Sequence, residues 1–228
     1  MHPLRRFLLI ALLSVVSSSA FAQVFQLTFE GLQGNEEVQN FYNGGTGSLG
    51  SSGVNYGVSF SAGTLASIDS EAGGTGNFAN EPSPSTIIFW LAGPSVIMDV
   101  AAGFTTGFSF VYTSSAPMTV TVYDGLGGTG NVLGTTSGPA QSTGGGCTGD
   151  PTGTFCNWSQ LGVSFSGTAR SVVFSGLAGQ TGYDNITFGN SVPVLPARPV
   201  PTLSEWGMII LSSLMALGTI AVFRRRNG

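Results

Sequence analysis

Eleven carboxylates hold almost all the chemistry available to this 228-residue chain. The single histidine is His2, lysine is absent, and the only basic residues besides that histidine are seven arginines. Arg5-Arg6, an apolar stretch from Phe7 to Val16 and the small-x-small triplet Ala20-Phe21-Ala22 read as a secretory signal peptide over residues 1–22, which places mature residue one at Gln23. With His2 removed, the mature chain has no base for a Ser-His-Asp or Cys-His site, no imidazole for zinc and no amine for a Schiff base. Catalysis, if present, would need two acids about 5 to 10 Å apart in a cleft, as in a carboxylate-dependent glycoside hydrolase.

Charge narrows the partners. Between Gln23 and Trp206 eleven Asp or Glu face only Arg170 and Arg198, a net charge of −9. Nucleic acid is excluded as a partner, because phosphate neutralisation needs a basic patch. Cys147 and Cys156 lie in a Gly-Thr-Pro-rich loop of an exported chain and are expected to pair, closing a loop worth about 3 kcal/mol in the chain-entropy model. Such a bridge would tether a surface loop rather than the core.

The elements that must position these groups are short. Alternating segments run over 24–30, 54–60, 86–90, 96–100, 107–113, 118–124, 161–165, 171–175 and 183–188, separated by Gly, Asn, Ser and Pro clusters. That rhythm, over a body of about 175 residues, predicts one all-β domain, an antiparallel β-sandwich ectodomain over 23–191. Met118, Val120 and Val122 share one face of their segment with Asp124, and Thr119, Thr121 and Tyr123 the other. Gly125-Leu126-Gly127-Gly128-Thr129-Gly130 satisfies the G-x-G-x-x-G pattern, but strand-like sequence follows where a dinucleotide site needs a helix, so a hairpin is expected. The sequons Asn157-Trp158-Ser159 and Asn185-Ile186-Thr187 are read as strand residues.

The C-terminal end has its own order. A Pro-rich linker over 192–199 leads to Val200-Pro201-Thr202-Leu203-Ser204-Glu205-Trp206-Gly207, an uncharged apolar run to Phe223, and then Arg224-Arg225-Arg226. Gly207 to Phe223 is seventeen residues, long enough for a short transmembrane helix across a core of about 30 Å, with Trp206 and the arginines as interfacial anchors and a positive stop. The motif residues Val200, Pro201, Thr202, Leu203, Trp206 and Gly207 resemble the IPTL-CTERM sorting signal, a Gram-negative relative of the PEP-CTERM system, with Val200 for isoleucine as the one departure. The resemblance covers only residues 200–228. It implies an exosortase-type membrane protease as partner, export through the inner membrane of a Gram-negative bacterium, transient anchoring, and delivery to the cell surface or beyond.

The body is similar to exported β-sandwich domains that precede PEP-CTERM-type tails. The likeness rests on Leu27-Thr28-Phe29-Glu30-Gly31-Leu32, Phe41-Tyr42-Asn43-Gly44-Gly45 with Asn55-Tyr56-Gly57-Val58-Ser59-Phe60, and Tyr183-Asp184-Asn185-Ile186-Thr187-Phe188-Gly189. It implies a jelly-roll-like fold in which Glu30 and Asp184, on the first and last strands, share a structural Ca2+; the alternative is two solvated strand-end carboxylates. Three functions follow. The first is a surface or matrix sandwich that binds carbohydrate or another surface partner, with Tyr42, Trp90 and Trp158 as aromatic candidates, each read first as core and only second as platform. The second is a purely structural component of the envelope or extracellular polymer. The third is the hydrolase, ranked last because the acids are spread among turns.

Overall fold

In the computed structural model the described residues are 25–141, 147–148 and 153–189. They contain eleven strands and no helix, and all the strand pairs are antiparallel. The signal peptide, the linker, the apolar run and the arginine stop lie outside the described residues.

The first sheet contains β1 (Gln26–Leu27), β3 (Leu65–Ile68), β4 (Thr86–Phe89), β6 (Gly107–Ser114), β9 (Ser159–Ser164) and β11 (Thr181–Phe188). Its order is β3-β4-β11-β6-β9, with β1 also on β11. The second sheet contains β2 (Val58–Phe60), β5 (Ser95–Phe104), β7 (Met118–Tyr123), β8 (Val132–Gly138) and β10 (Ala169–Ser175), in the order β2-β5-β10-β7-β8. Sequence neighbours mostly cross from one sheet to the other. Only β3–β4 and β7–β8 are paired neighbours within a sheet.

Between the sheets lies an aromatic-rich core. Phe108, Phe110 and Tyr112 enter from β6, Tyr183, Ile186 and Phe188 from β11, Met98 and Val100 from β5, and Val172 and Phe174 from β10. The Phe174 and Tyr183 rings stand 4.9 Å apart, and Phe110 meets Tyr183 at 5.6 Å, both edge-on as the ring quadrupoles favour. On β7 the expected alternation holds, with Met118, Val120 and Val122 buried and Thr119, Thr121 and Tyr123 half-buried. Asp124 is not a strand residue; it ends the strand and caps the turn.

Two differences from the expected elements have local causes. The first strand stops at Leu27 because Phe29 adopts a left-handed backbone, φ 63°, with its amide bonded to the Tyr42 hydroxyl at 2.8 Å. A bulky residue in that region is strained, and the turn leads straight to Glu30. The segment expected from Val54 begins only at Val58. The strand β3, Leu-Ala-Ser-Ile, has no turn-bounded apolar pattern and went unforeseen.

On β6 and β11 every residue is buried, on both faces. Their outer face carries Ser109, Val111, Thr113, Asp184 and Thr187; Ser83 bonds Asp184, and Thr113 lines a pocket with Phe78 and Phe155 of the loops at 69–83 and 153–158. Truncation in the inner layer is expected to be costly. Phe174→Ala should lower unfolding free energy by about 3 to 5 kcal/mol, while Thr135→Ala on an exposed face should change it by under about 0.5 kcal/mol; denaturant midpoints of the two variants test the contrast.

Candidate functional site

Glu30 and Asp184, far apart in sequence, meet at one hydroxyl. Ser83 Oγ lies 2.6 Å from Asp184 Oδ2, 3.3 Å from Glu30 Oε1, 3.2 Å from the Thr28 carbonyl and 3.3 Å from that of Thr86. A hydroxyl has one proton and cannot satisfy four acceptors. Glu30 also accepts from the amides of Ser85 (3.1 Å) and Thr86 (2.8 Å) and from both of their hydroxyls. Asp184 accepts from the amides of Ser83 (3.0 Å) and Asn185 (2.7 Å).

Asp184 is fully buried, so the reading of two solvated strand-end carboxylates fails for it. Burial pushes its carboxyl up to about 7 against the pull of the Ser83 and Asn185 hydrogen bonds, and the Glu30 charge adds to the rise. Glu81, two residues before Ser83, is likewise pushed up to about 7, first by burial and then by Asp69 and Asp184. The acids are therefore less scattered than the sequence suggested. Asp69, Glu81, Glu30 and Asp184 gather around the loop that enters β4.

These are hard oxygens, the type calcium takes, and two carboxylates and two carbonyls converge on the Ser83 hydroxyl. Among the described residues no group of three or more His, Cys, Asp or Glu side chains is placed to hold a metal ion. The match to calcium is one of oxygen type: carbonyl and hydroxyl oxygens stand beside two acids.

Beside this node, on the outer face of the first sheet, lies a pocket of about 140 Å³. Its floor is Ile87 and Phe89 of β4, Gly182 of β11 and Thr113 of β6, and its walls are Asn35, Asn77, Phe78, Phe155 and Gln180. Gly182 leaves room there, since a Cβ would stand 2.7 Å from Ile87 Cδ1 and press that side-chain end aside. Among the described residues no charged side chain lines the pocket.

The aromatic candidates are not platforms. Trp90 is fully buried and stacks on Tyr183 at 6.2 Å; Tyr42 is buried and bonded to the Phe29 amide. Trp158 is half-buried, donates its indole N–H to the Ala79 carbonyl at 3.0 Å and packs on Phe78. Tyr42 and Trp90 are core, and Trp158 packs partly buried against the Phe78, Ile87 and Phe155 cluster. The aromatic rings that do line the pocket, Phe78, Phe89 and Phe155, carried no distinguishing signal.

Cys147 and Cys156 are joined, with Cα atoms 5.7 Å apart. The bridge is not confined to a surface loop: Cys147 is buried, and the neighbouring Phe155 belongs to a second apolar cluster with Phe78 and Ile87. Residues 125–130 form the β7–β8 hairpin, where Gly127, Gly128 and Gly130 have positive φ and the Gly125 amide bonds the Thr129 carbonyl. Asn185 is buried in a bulge of β11, out of reach of any modifying enzyme.

The structure and sequence together define an antiparallel β-sandwich with a sorting tail. Residues 198–227 match the model of the IPTL-CTERM motif, a C-terminal sorting signal. The motif residues themselves lie outside the described residues. No curated protein matches the chain. Among solved structures it is similar to a glycoside hydrolase family 43 arabinoxylan arabinofuranohydrolase from Bacillus subtilis in complex with cellotetraose, at 16% identity over 55% of this chain and 24% of that one, TM-score 0.35. The chain thus spans about a quarter of that protein. It is also similar to the carbohydrate-binding module CBM6cm-2 from Cellvibrio mixtus lichenase 5A in complex with cellotriose, at 17% identity over 57% of this chain and 88% of that one, TM-score 0.34. Both likenesses are too loose to transfer a ligand or an activity.

The node has a pH signature with a definite sign. Asp184 and Glu81 hold protons in the folded state up to about 7 but release them near 4 when unfolded. Between those values the folded chain binds more protons, so stability falls as pH rises. Melting temperatures of the full chain in chelator should decline from about pH 4.5 to 8, and Asp184→Asn should flatten part of that decline; a rising profile would refute the assignment.

Proposed function

We propose that this chain is an exported β-sandwich delivered to the cell surface or extracellular polymer, where it works as a non-enzymatic binding module for carbohydrate. The observation that carries the reading is the sorting tail matched at 198–227, joined to a sandwich with an uncharged pocket. In this reading an exosortase-type protease recognises Val200, Pro201, Thr202, Leu203, Trp206 and Gly207. The run from Gly207 to Phe223 anchors the chain transiently in the inner membrane of a Gram-negative cell, with Arg224, Arg225 and Arg226 on the cytoplasmic side. Cleavage then frees the sandwich.

The hydrolase alternative draws less support. The carboxylates converge on a node where Asp184 is fully buried and its oxygens are engaged by Ser83 and Asn185, and among the described residues the pocket has no acid in its lining. A substrate would have to reach two acids at once. A purely structural role needs no pocket and stays the competing reading.

Sorting is tested in the native host. Wild-type protein should appear shortened in the surface or culture fraction, and a Pro201→Ala, Trp206→Ala variant should accumulate uncut in the inner membrane. Equal processing of the two would sink the role of the tail.

A calcium ion at the Ser83 node completes the reading, with Glu30, Asp184 and the Thr28 and Thr86 carbonyls as its protein oxygens. It would bind the native state alone and add about 2.7 kcal/mol at a hundredfold excess over its dissociation constant. Melts of the full chain at pH 8 with calcium and with chelator should differ, and Asp184→Asn should remove most of the difference, since a neutral oxygen replaces a charged ligand. Equal melting temperatures for the wild type would abandon the ion.

A further inference from the structure

We propose that the pocket beneath Phe78 and Phe155 binds one neutral sugar unit, at the end or a branch of a glycan. This rests on the binding-module reading and names its site and ligand class. The first observation is an orphan: Thr113, 1% exposed, lines the pocket floor, and its Oγ1 has no hydrogen-bond partner. A buried hydroxyl left unpaired costs about 1 to 3 kcal/mol, and rotation of the Thr113 side chain toward the pocket would let an arriving hydroxyl relieve that cost.

The second observation is the chemistry around it. The Asn35 and Asn77 side chains are exposed at the rim and make no hydrogen bond to a described residue, leaving amide donors and acceptors free. Phe78, Phe89 and Phe155 supply apolar surface against which the C–H face of a sugar ring packs. Neutral donors and acceptors beside aromatic rings suit a polyhydroxylated ring and offer no partner to an ionic group.

Charge and size complete the assignment. With no cation among the described lining residues, and a net charge of −9 between Gln23 and Trp206, the site disfavours uronates, sulfated sugars and phosphates. A volume of about 140 Å³ is well under the ~300 Å³ at which drug-sized sites begin, so one ring enters and the rest of the chain stays outside. Leu91, 64% exposed, stands beside Gly179 on the rim and gives a further apolar contact for the unit that follows.

The test uses the full chain in detergent on an array of neutral, uronate-containing and sulfated glycans, followed by titration with the strongest neutral glycan. Wild type should bind neutral glycans selectively. Thr113→Val keeps the shape and removes an unpaired hydroxyl, so its melting temperature should be unchanged or higher while affinity falls at least tenfold. Asn77→Ala, at an exposed position with no side-chain bond to lose, should weaken binding too. If both variants bind like wild type, the pocket is not the site and the binding-module reading stands. Preference for anionic glycans would overturn the ligand class, and no binding by wild type would overturn both the site and the binding module.

Discussion

The Ser83 hydroxyl, with four acceptors around one proton, is the contact on which the rest of the first sheet depends. At the entry to β4 it joins the turn after β1 and the middle of β11, which are 55 and 101 residues distant from it in the chain. Were the hydroxyl lost, Asp184 would keep two amide bonds but would stand buried beside a second carboxylate. The loop that carries Ser83 is also continuous with Phe78, so the node fixes both the edge of the sheet and the cover of its outer face.

That cover explains an otherwise odd pattern. A sandwich strand normally has one face wet, and β7 obeys this, yet β6 and β11 are buried throughout although their second face is Ser, Thr and Asp. Polar side chains under a lid need partners. Asp184 and Thr187 have them, and three atoms do not: Ser109 Oγ, Thr113 Oγ1 and Asn185 Oδ1. All three belong to β6 and β11. The disulfide beside Phe155 and the Phe78–Phe155 bridge hold the cover in place without filling these needs.

Much of the architecture was legible. The alternation over Met118–Tyr123 gave its strand and buried face, glycines at 125–130 marked the hairpin, and two lone cysteines in an exported chain implied their bond. Glu30 and Asp184 came from resemblance to exported sandwiches, and the structure unites them. Their neighbours were not readable, because Asp69, Glu81 and Ser83 acquire meaning only through contacts made across the fold. Tyr42 and Trp90 show the opposite limit: an aromatic residue near a turn has the same sequence signature whether it covers a core or offers a platform. Phe29 breaks its strand by a backbone choice no propensity foretells, since a bulky residue seldom adopts positive φ.

The strand that leads toward the tail, β11, is in the middle of its sheet rather than at an edge. It is bonded to β6 along one side and to β4 and β1 along the other. Tension entering at Gly189 therefore runs along a strand clamped on both flanks. Pulled lengthwise, the bonds of both ladders must slide together, whereas an edge strand would peel away one bond at a time. A domain held by its last residues is thus loaded through a central strand and not through an edge that could peel.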